Sequence, residues 1–115
     1  MPRRRAEPLL PLEREILRAG LRFAADGERF HAFGLARAMQ HGRRGLVAHD
    51  VLESALGRLR EAGLLTAEPE DPRIAEEAGR PPRMLFEATR EGAAALQAAE
   101  RAAPDLRAAL HPGGR

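Results

Sequence analysis

The sequence contains no cysteine, lysine, tryptophan or tyrosine, and its only aromatic residues are four phenylalanines. Without cysteine the chain has no disulfide and no thiolate to bind a metal or act as a nucleophile. No apolar run approaches the ~20 residues that a membrane-spanning helix needs. No signal-peptide pattern follows the charged N-terminus. We therefore expect one cytoplasmic domain with a small aliphatic core and no contact with a membrane.

Signatures of catalysis and of metal binding are also missing from the sequence. The four histidines do not have the spacing of metal ligands: His31, His41, His49 and His111. The only serine, Ser54, has no histidine three or four residues away, and there is no Gly-x-Ser-x-Gly, phosphate-loop or dinucleotide motif. The sequence predicts no enzyme, no cofactor and no metal site.

All 19 basic side chains are arginine, and they leave a net charge of only +2. The first 50 residues carry ten arginines against six acids, whereas the remainder carries nine against eleven. A basic N-terminal half is compatible with a nucleic-acid partner but does not require one.

The clearest element is the segment 50–65, which alternates at helical spacing. Its apolar residues share one face: Val51, Leu52, Ala55, Leu56, Leu59 and Ala62. Polar residues and Gly57 occupy the other face. Asp50 with Glu53 predicts an N-terminal capping box, and Gly63 predicts the C-terminal stop.

The neighbours of this helix predict a winged helix-turn-helix. Two helices, 9–25 and 34–41, precede it, and a turn at 42–45 leads into it. Strands at 64–68 and 83–88 follow, and the Pro-, Glu- and Gly-rich segment between them predicts an irregular loop. The fold class is therefore mainly α with a small β-wing.

A last helix begins after a Thr89 cap and extends to 103, where Pro104 interrupts or kinks it before one or two further turns. The predicted organisation has four parts: a disordered arm (1–8), a winged helix-turn-helix DNA-binding domain (9–88), a C-terminal dimerisation helix (89–110) and a tail (111–115).

Four segments resemble the PadR-like winged-helix transcriptional regulators in their order and spacing. They are FHAFGLARAM (30–39), LESALGRLREAGLL (52–65), GRPPRMLFEAT (79–89) and TREGAAAL (89–96). The resemblance implies a DNA-binding repressor that forms a homodimer through its first and last helices. The single C-terminal helix is similar to the family's small subgroup, some members of which bind planar hydrophobic compounds, so a small hydrophobic effector is implied.

The sequence departs from that family where Glu53 replaces a tyrosine of the recognition helix and where the wing is rich in acids. These acids favour a basic protein partner over DNA. The alternative interpretation is therefore a winged-helix module for protein–protein contact, with weak or no DNA binding.

Candidate contacts to double-stranded DNA fall into two groups. Ser54, Gly57 and Arg58 lie on the polar face that would enter the major groove. Arg43, Arg44, Arg80 and Arg83 are candidate phosphate contacts. Each of these arginines could instead be a solvated surface charge. Arg58 could pair with Ser54 or Glu61, and Gly57 could be a neutral surface glycine.

The candidate dimer interface consists of apolar residues on the first and last helices, which would be an aggregation liability in a monomer. These residues are Leu10, Leu17, Leu21, Leu96, Ala99 and Ala103.

Overall fold

A computed structural model describes residues 8–40 and 47–110, with side chains described as far as residue 102. In chain order its elements are α1 (Pro11–Ala25), α2 (Ala32–Gln40), α3 (His49–Glu61), β1 (Leu65–Pro69), α4 (Pro72–Glu77), β2 (Met84–Ala88) and α5 (Arg90–Leu110). The predicted fold class, mainly helical with a small β-wing, is confirmed.

The core lies where α1, α2, α3 and the sheet meet, and it is mostly aliphatic. Its fully buried members recur at three- and four-residue spacings on the helices: Ile16, Leu17, Leu35, Leu52, Leu56 and Leu59. Phe30 packs between Phe23 and Phe86, with ring centroids 5.5 and 5.7 Å away. Four of the six residues on the apolar face predicted for 50–65 are buried: Leu52, Ala55, Leu56 and Leu59. Val51 is 48% exposed and Ala62 is also exposed, so the predicted face is wider than the face that α3 buries.

The wing is an antiparallel pair of strands in which Leu65 lies opposite Ala88 and Pro69 opposite Met84. Phe30 extends this sheet, because its N–H and carbonyl exchange hydrogen bonds of 3.0 and 2.7 Å with Phe86. The wing is thereby attached to the segment that leads into α2.

The start of α3 differs from the prediction. Ala48, not Asp50, is the N-cap, and no side chain caps the helix. Asp50 lies inside the first turn and accepts a hydrogen bond from the N–H of Val51 at 2.9 Å. The expected capping box is therefore wrong, although Asp50 still places negative charge at the positive end of the helix. The end is as predicted, since Gly63 has a positive φ of 81°.

The segment predicted to be irregular contains a short helix, α4. Asp71 caps it by accepting from the N–H of Arg73 at 2.9 Å, and Pro72 occupies the first helical position. Ala75 is buried, which attaches the helix to the rest of the chain. The wing loop is therefore partly ordered.

The last helix continues through Pro104 to Leu110, so the further turns predicted after Pro104 are present and the proline does not interrupt the helix. A proline in a helix removes one backbone hydrogen bond, and the remaining turns continue beyond it. Thr89 is a cap as predicted, because its Oγ1 accepts from the N–H of Gly92 at 2.9 Å.

Two residues of the predicted dimer interface are core residues instead. Leu17 is fully buried and Leu96 is 5% exposed within the single chain. Both lie where α1 and α5 pack against each other, so neither presents a surface to a second copy. Leu10, Leu21 and Ala99 retain exposed surface, and the side chain of Ala103 lies outside the described residues.

Candidate nucleic-acid interface

The outward face of α3 is polar and uncovered by the described parts of the chain. Glu53, Ser54 and Arg60 are exposed on it. Gly57 lies among them, and a Cβ built at this glycine would have no atom within 4 Å. None of the neighbours that the structure describes therefore requires a glycine at this position.

Arg58 is tied to α1 rather than to its own helix. Its Nε donates to Oε2 of Glu13 at 2.9 Å, and the other carboxylate oxygen of Glu13 accepts the N–H of Leu10 at 2.9 Å. The side chain of Glu13 is 10% exposed and that of Arg58 is 43% exposed. Arg58 is therefore held in place with part of its guanidinium facing solvent.

Arg80 stabilises the base of the wing. Its guanidinium donates two hydrogen bonds to the Glu70 carboxylate, at 2.7 and 3.0 Å. Glu70 also accepts the N–H of Arg83 at 3.1 Å. The hydrogen bonds from Arg80 and from Arg83 lower the pKa of Glu70 to about 2. In the free chain the charge of Arg80 is neutralised by this pair.

Arg83 faces His31, the residue that precedes α2. The Arg83 Nη1 and His31 Nε2 atoms are 2.8 Å apart. The other ring nitrogen, Nδ1, accepts the N–H of Gly34 at 3.0 Å, so His31 caps α2 with its side chain. Burial lowers the pKa of His31, and the charges of Arg83 and Arg80 lower it further against the opposing charge of Glu70. The folded environment thus favours the neutral form of His31.

An open cavity of about 390 Å³ separates the outward face of α3 from the first residues of α2 and β2. Its lining includes His31, Phe33, Gly57, Arg60, Arg83 and Met84. Gly57 and Arg83, which the sequence predicted as DNA contacts, are therefore brought together at one groove.

Sequence reasoning missed Arg60 and His31 as members of this groove. Arg60 was visible on the polar face of 50–65, three residues from Gly57. His31 lies in the segment 30–39 that resembles the PadR-like family and was rejected as a metal ligand, but its pairing with Arg83 was not predictable because the two residues are 52 positions apart.

The remaining predicted contacts lie elsewhere. Ser54 is exposed on α3, and Arg43 and Arg44 lie outside the described residues. Among the described residues there is no group of three or more His, Asp or Glu side chains placed to bind a metal ion. None of the helices in the described segments is long and apolar enough to span a membrane.

No protein-family model matches the sequence, and no curated protein matches it. Solved structures do match it, and two of them are of PadR-like regulators. A PadR-like transcription factor from Bacteroides fragilis is 22% identical, with 87% of this chain and 86% of that chain covered and a TM-score of 0.68. A PadR family transcriptional regulator from Eggerthella lenta is 20% identical, with 88% and 83% covered and a TM-score of 0.66. The predicted resemblance to PadR-like regulators is confirmed in the fold, which this chain shares with both proteins over most of its length.

Proposed function

We propose that this protein is a sequence-specific DNA-binding transcriptional regulator without enzymatic activity. The observation that carries the proposal is the open polar face of α3 beside the wing, with Gly57 leaving the helix backbone accessible. A helix in this position reads base edges in the major groove, while the wing and adjacent turns contact phosphates. The two solved proteins with this fold are named as transcription factors or regulators.

The acids of the wing oppose DNA binding less than their number implies. Glu68 pairs with Arg29 at 3.2 Å, and Glu70 pairs with Arg80 at 2.7 Å. Two of the negative charges are thus balanced within the chain. Glu53 lies 3.3 Å from His49 Nε2, which would balance it when that imidazole is protonated.

Three acids on and next to α4 remain exposed: Asp71, Glu76 and Glu77. They support the second candidate function, a winged-helix module that binds a basic protein partner. The DNA-binding experiment below separates the two candidates.

We further propose that the regulator is a cytoplasmic homodimeric repressor. The exposed apolar residues on α1, and the alanines of α5, support a second copy of the chain as the partner. A small hydrophobic effector that releases the repressor from DNA is an expectation from the family resemblance.

Selection of bound sequences from a random duplex library, followed by fluorescence anisotropy at several salt concentrations, tests the proposal. We expect enrichment of one motif and an affinity for it at least about 10³-fold above that for unrelated duplex. Arg58→Ala should weaken binding to the motif, and Arg101→Ala on α5 is the matched control. Weak binding without sequence preference would contradict the proposal and favour the protein-binding alternative.

A further inference from the structure

His31 has a hydrogen-bonding conflict that no neighbour among the described residues resolves. Its Nδ1 faces the N–H of Gly34, and its Nε2 faces the Arg83 guanidinium. Both neighbours are obligatory donors, whereas a neutral imidazole accepts at only one nitrogen and donates from the other. One of the two contacts therefore places two donors against each other, whichever tautomer forms.

An acceptor that bound between Nε2 and the guanidinium would remove the conflict, because the two donors would separate and both donate to it. His31 would then keep its cap on α2 through Nδ1 and would donate from Nε2, while Arg83 would donate to the same acceptor. The cavity between α2, α3 and β2 gives an acceptor access to this point, because both side chains line it.

The charges around the cavity favour an anionic acceptor. Arg60 and Arg83 line it against one acid, Glu53. The positive charge of Arg83 and Arg80 helps to lower the pKa of His31. The charge of Arg83 favours a bound anion, and two donors on one side suit a tetrahedral oxyanion such as phosphate.

We propose that His31 and Arg83 together bind a backbone phosphate of duplex DNA, with the imidazole donating from Nε2. The site rests on the proposed function, because DNA must lie along the outward face of α3 to bring a phosphate to this cavity. In this site the histidine that caps α2 also contacts DNA. The start of α2 and the base of the wing therefore bind the same phosphate.

The tautomer of His31 gives a direct test. Ring nitrogen shifts in NMR spectra of the uniformly ¹⁵N-labelled full chain distinguish a protonated from an unprotonated nitrogen, and His31→Asn assigns the signal. On addition of the selected duplex we expect Nε2 to be protonated and Nδ1 to be unprotonated. A second titration uses inorganic phosphate at matched ionic strength. It should shift the same His31 ring-nitrogen signals only at much higher concentration.

Binding variants test the two side chains separately. Arg83→Gln should lower affinity about tenfold and reduce the salt slope by about 0.9 for each protomer bound. Arg101→Gln also removes one positive charge, but on α5 and away from the cavity. It should leave the affinity and the salt slope unchanged. His31→Asn preserves a capping side chain but removes Nε2, and it should lower affinity about fivefold with little change in melting temperature.

The outcomes distinguish this site from the proposed function. If the wild type binds its selected duplex but His31→Asn binds equally well, or if Nε2 stays unprotonated in the complex, the phosphate site is wrong and the regulator remains. If inorganic phosphate shifts the His31 signals at the same concentration as the duplex does, the ligand of this site is a free anion and not DNA. A wild type that binds no duplex overturns both proposals.

Discussion

At the scale of single residues, Gly92 is the described glycine at which an added Cβ would meet the closest contact. A Cβ built there would lie 2.3 Å from the carbonyl oxygen of Leu64. That carbonyl also accepts the N–H of Thr89 at 3.0 Å, and the Thr89 hydroxyl donates to the carbonyl of Gly63 at 2.8 Å. The Thr-x-x-Gly start of α5 is therefore the point where the helix docks on the end of α3.

Gly92→Ala should consequently destabilise the protein, although alanine is the better helix former. The overpacked methyl group should lower the free energy of unfolding by about 2 kcal/mol. This change in the free energy of unfolding can be measured by urea unfolding monitored by circular dichroism. The matched control is Gly57→Ala, in which the new methyl group meets no atom within 4 Å. Equal stability of Gly92→Ala and the wild type would show that α5 can move away from Leu64 at little cost.

The Glu70–Arg80 pair predicts a pH dependence. The pKa of Glu70 is held at about 2, below its ordinary value of 4.5. The unfolded chain therefore binds a proton before the folded chain does, and the pair's contribution is complete above about pH 4.5 and lost as the pH falls towards 2. Glu70→Gln should lower the melting temperature at pH 7, and its difference from the wild type should shrink below pH 4.5.

Glu76→Gln, which changes an exposed acid on α4, is the control for this measurement. A difference between Glu70→Gln and the wild type that stays constant from pH 7 to pH 2 would contradict the stabilising role of the ionised pair.

At the scale of elements, the sequence predicted what depends on periodicity and missed what depends on distant partners. The buried face of α3, the two strands and the Thr89 cap all follow from local spacing. The partners of Arg58 and Arg83 do not, because they lie 45 and 52 residues away in the chain. α4 has only six residues, too few for a helical period to show, although Asp71-Pro72 is a typical helix start.

Local spacing also explains why the sequence predicted only some of the residues of the candidate site. Ser54, Gly57 and Arg58 were predictable because one face of one helix contains all three. Arg80 was predicted as a free cation, yet its carboxylate partner Glu70 lies across the wing. A single sequence does not show which opposite charges meet, so it cannot separate a structural arginine from one that is free to bind DNA.

Gly57 provides a prediction for α3 as a recognition element. Gly57→Ala should raise the free energy of unfolding by about 0.5–1 kcal/mol, because glycine is a poor helix former and the site is open. If DNA approaches the backbone here, the methyl group should weaken binding to the selected duplex about tenfold, or about 1.4 kcal/mol. The salt slope should not change, since no charge is removed. Anisotropy gives the affinity and the salt slope, and urea unfolding of the same preparation gives the free energy of unfolding.

Unchanged affinity of Gly57→Ala would identify Gly57 as a neutral surface residue, the alternative that the sequence left open. A loss of affinity together with a loss of stability would instead mean that the helix is distorted, and the close approach of DNA would not be supported.

At the scale of the whole molecule, α1 and α5 leave an apolar surface that the described residues do not cover. Leu10 is 50% exposed, and Leu21 and Ala99 are only partly buried. Leu17 of α1 and Leu96 of α5 both belong to the buried core, so the exposed residues lie on helices that the core holds in place. Such a surface is suited to a second copy, because a two-fold axis would bring the same residues together from each protomer.

We expect a homodimer at micromolar concentration, with a mass in light scattering of twice the chain mass of 12.6 kDa. Ala99→Glu should give a folded monomer, because each protomer would place a carboxylate in an apolar contact without a partner. Ala78→Glu makes the same change at the exposed end of α4 and should stay dimeric. If Ala99→Glu remains dimeric, this face of α5 is not part of the interface. If the wild type is monomeric, the homodimer proposal is wrong, and a single α3 would read one half-site.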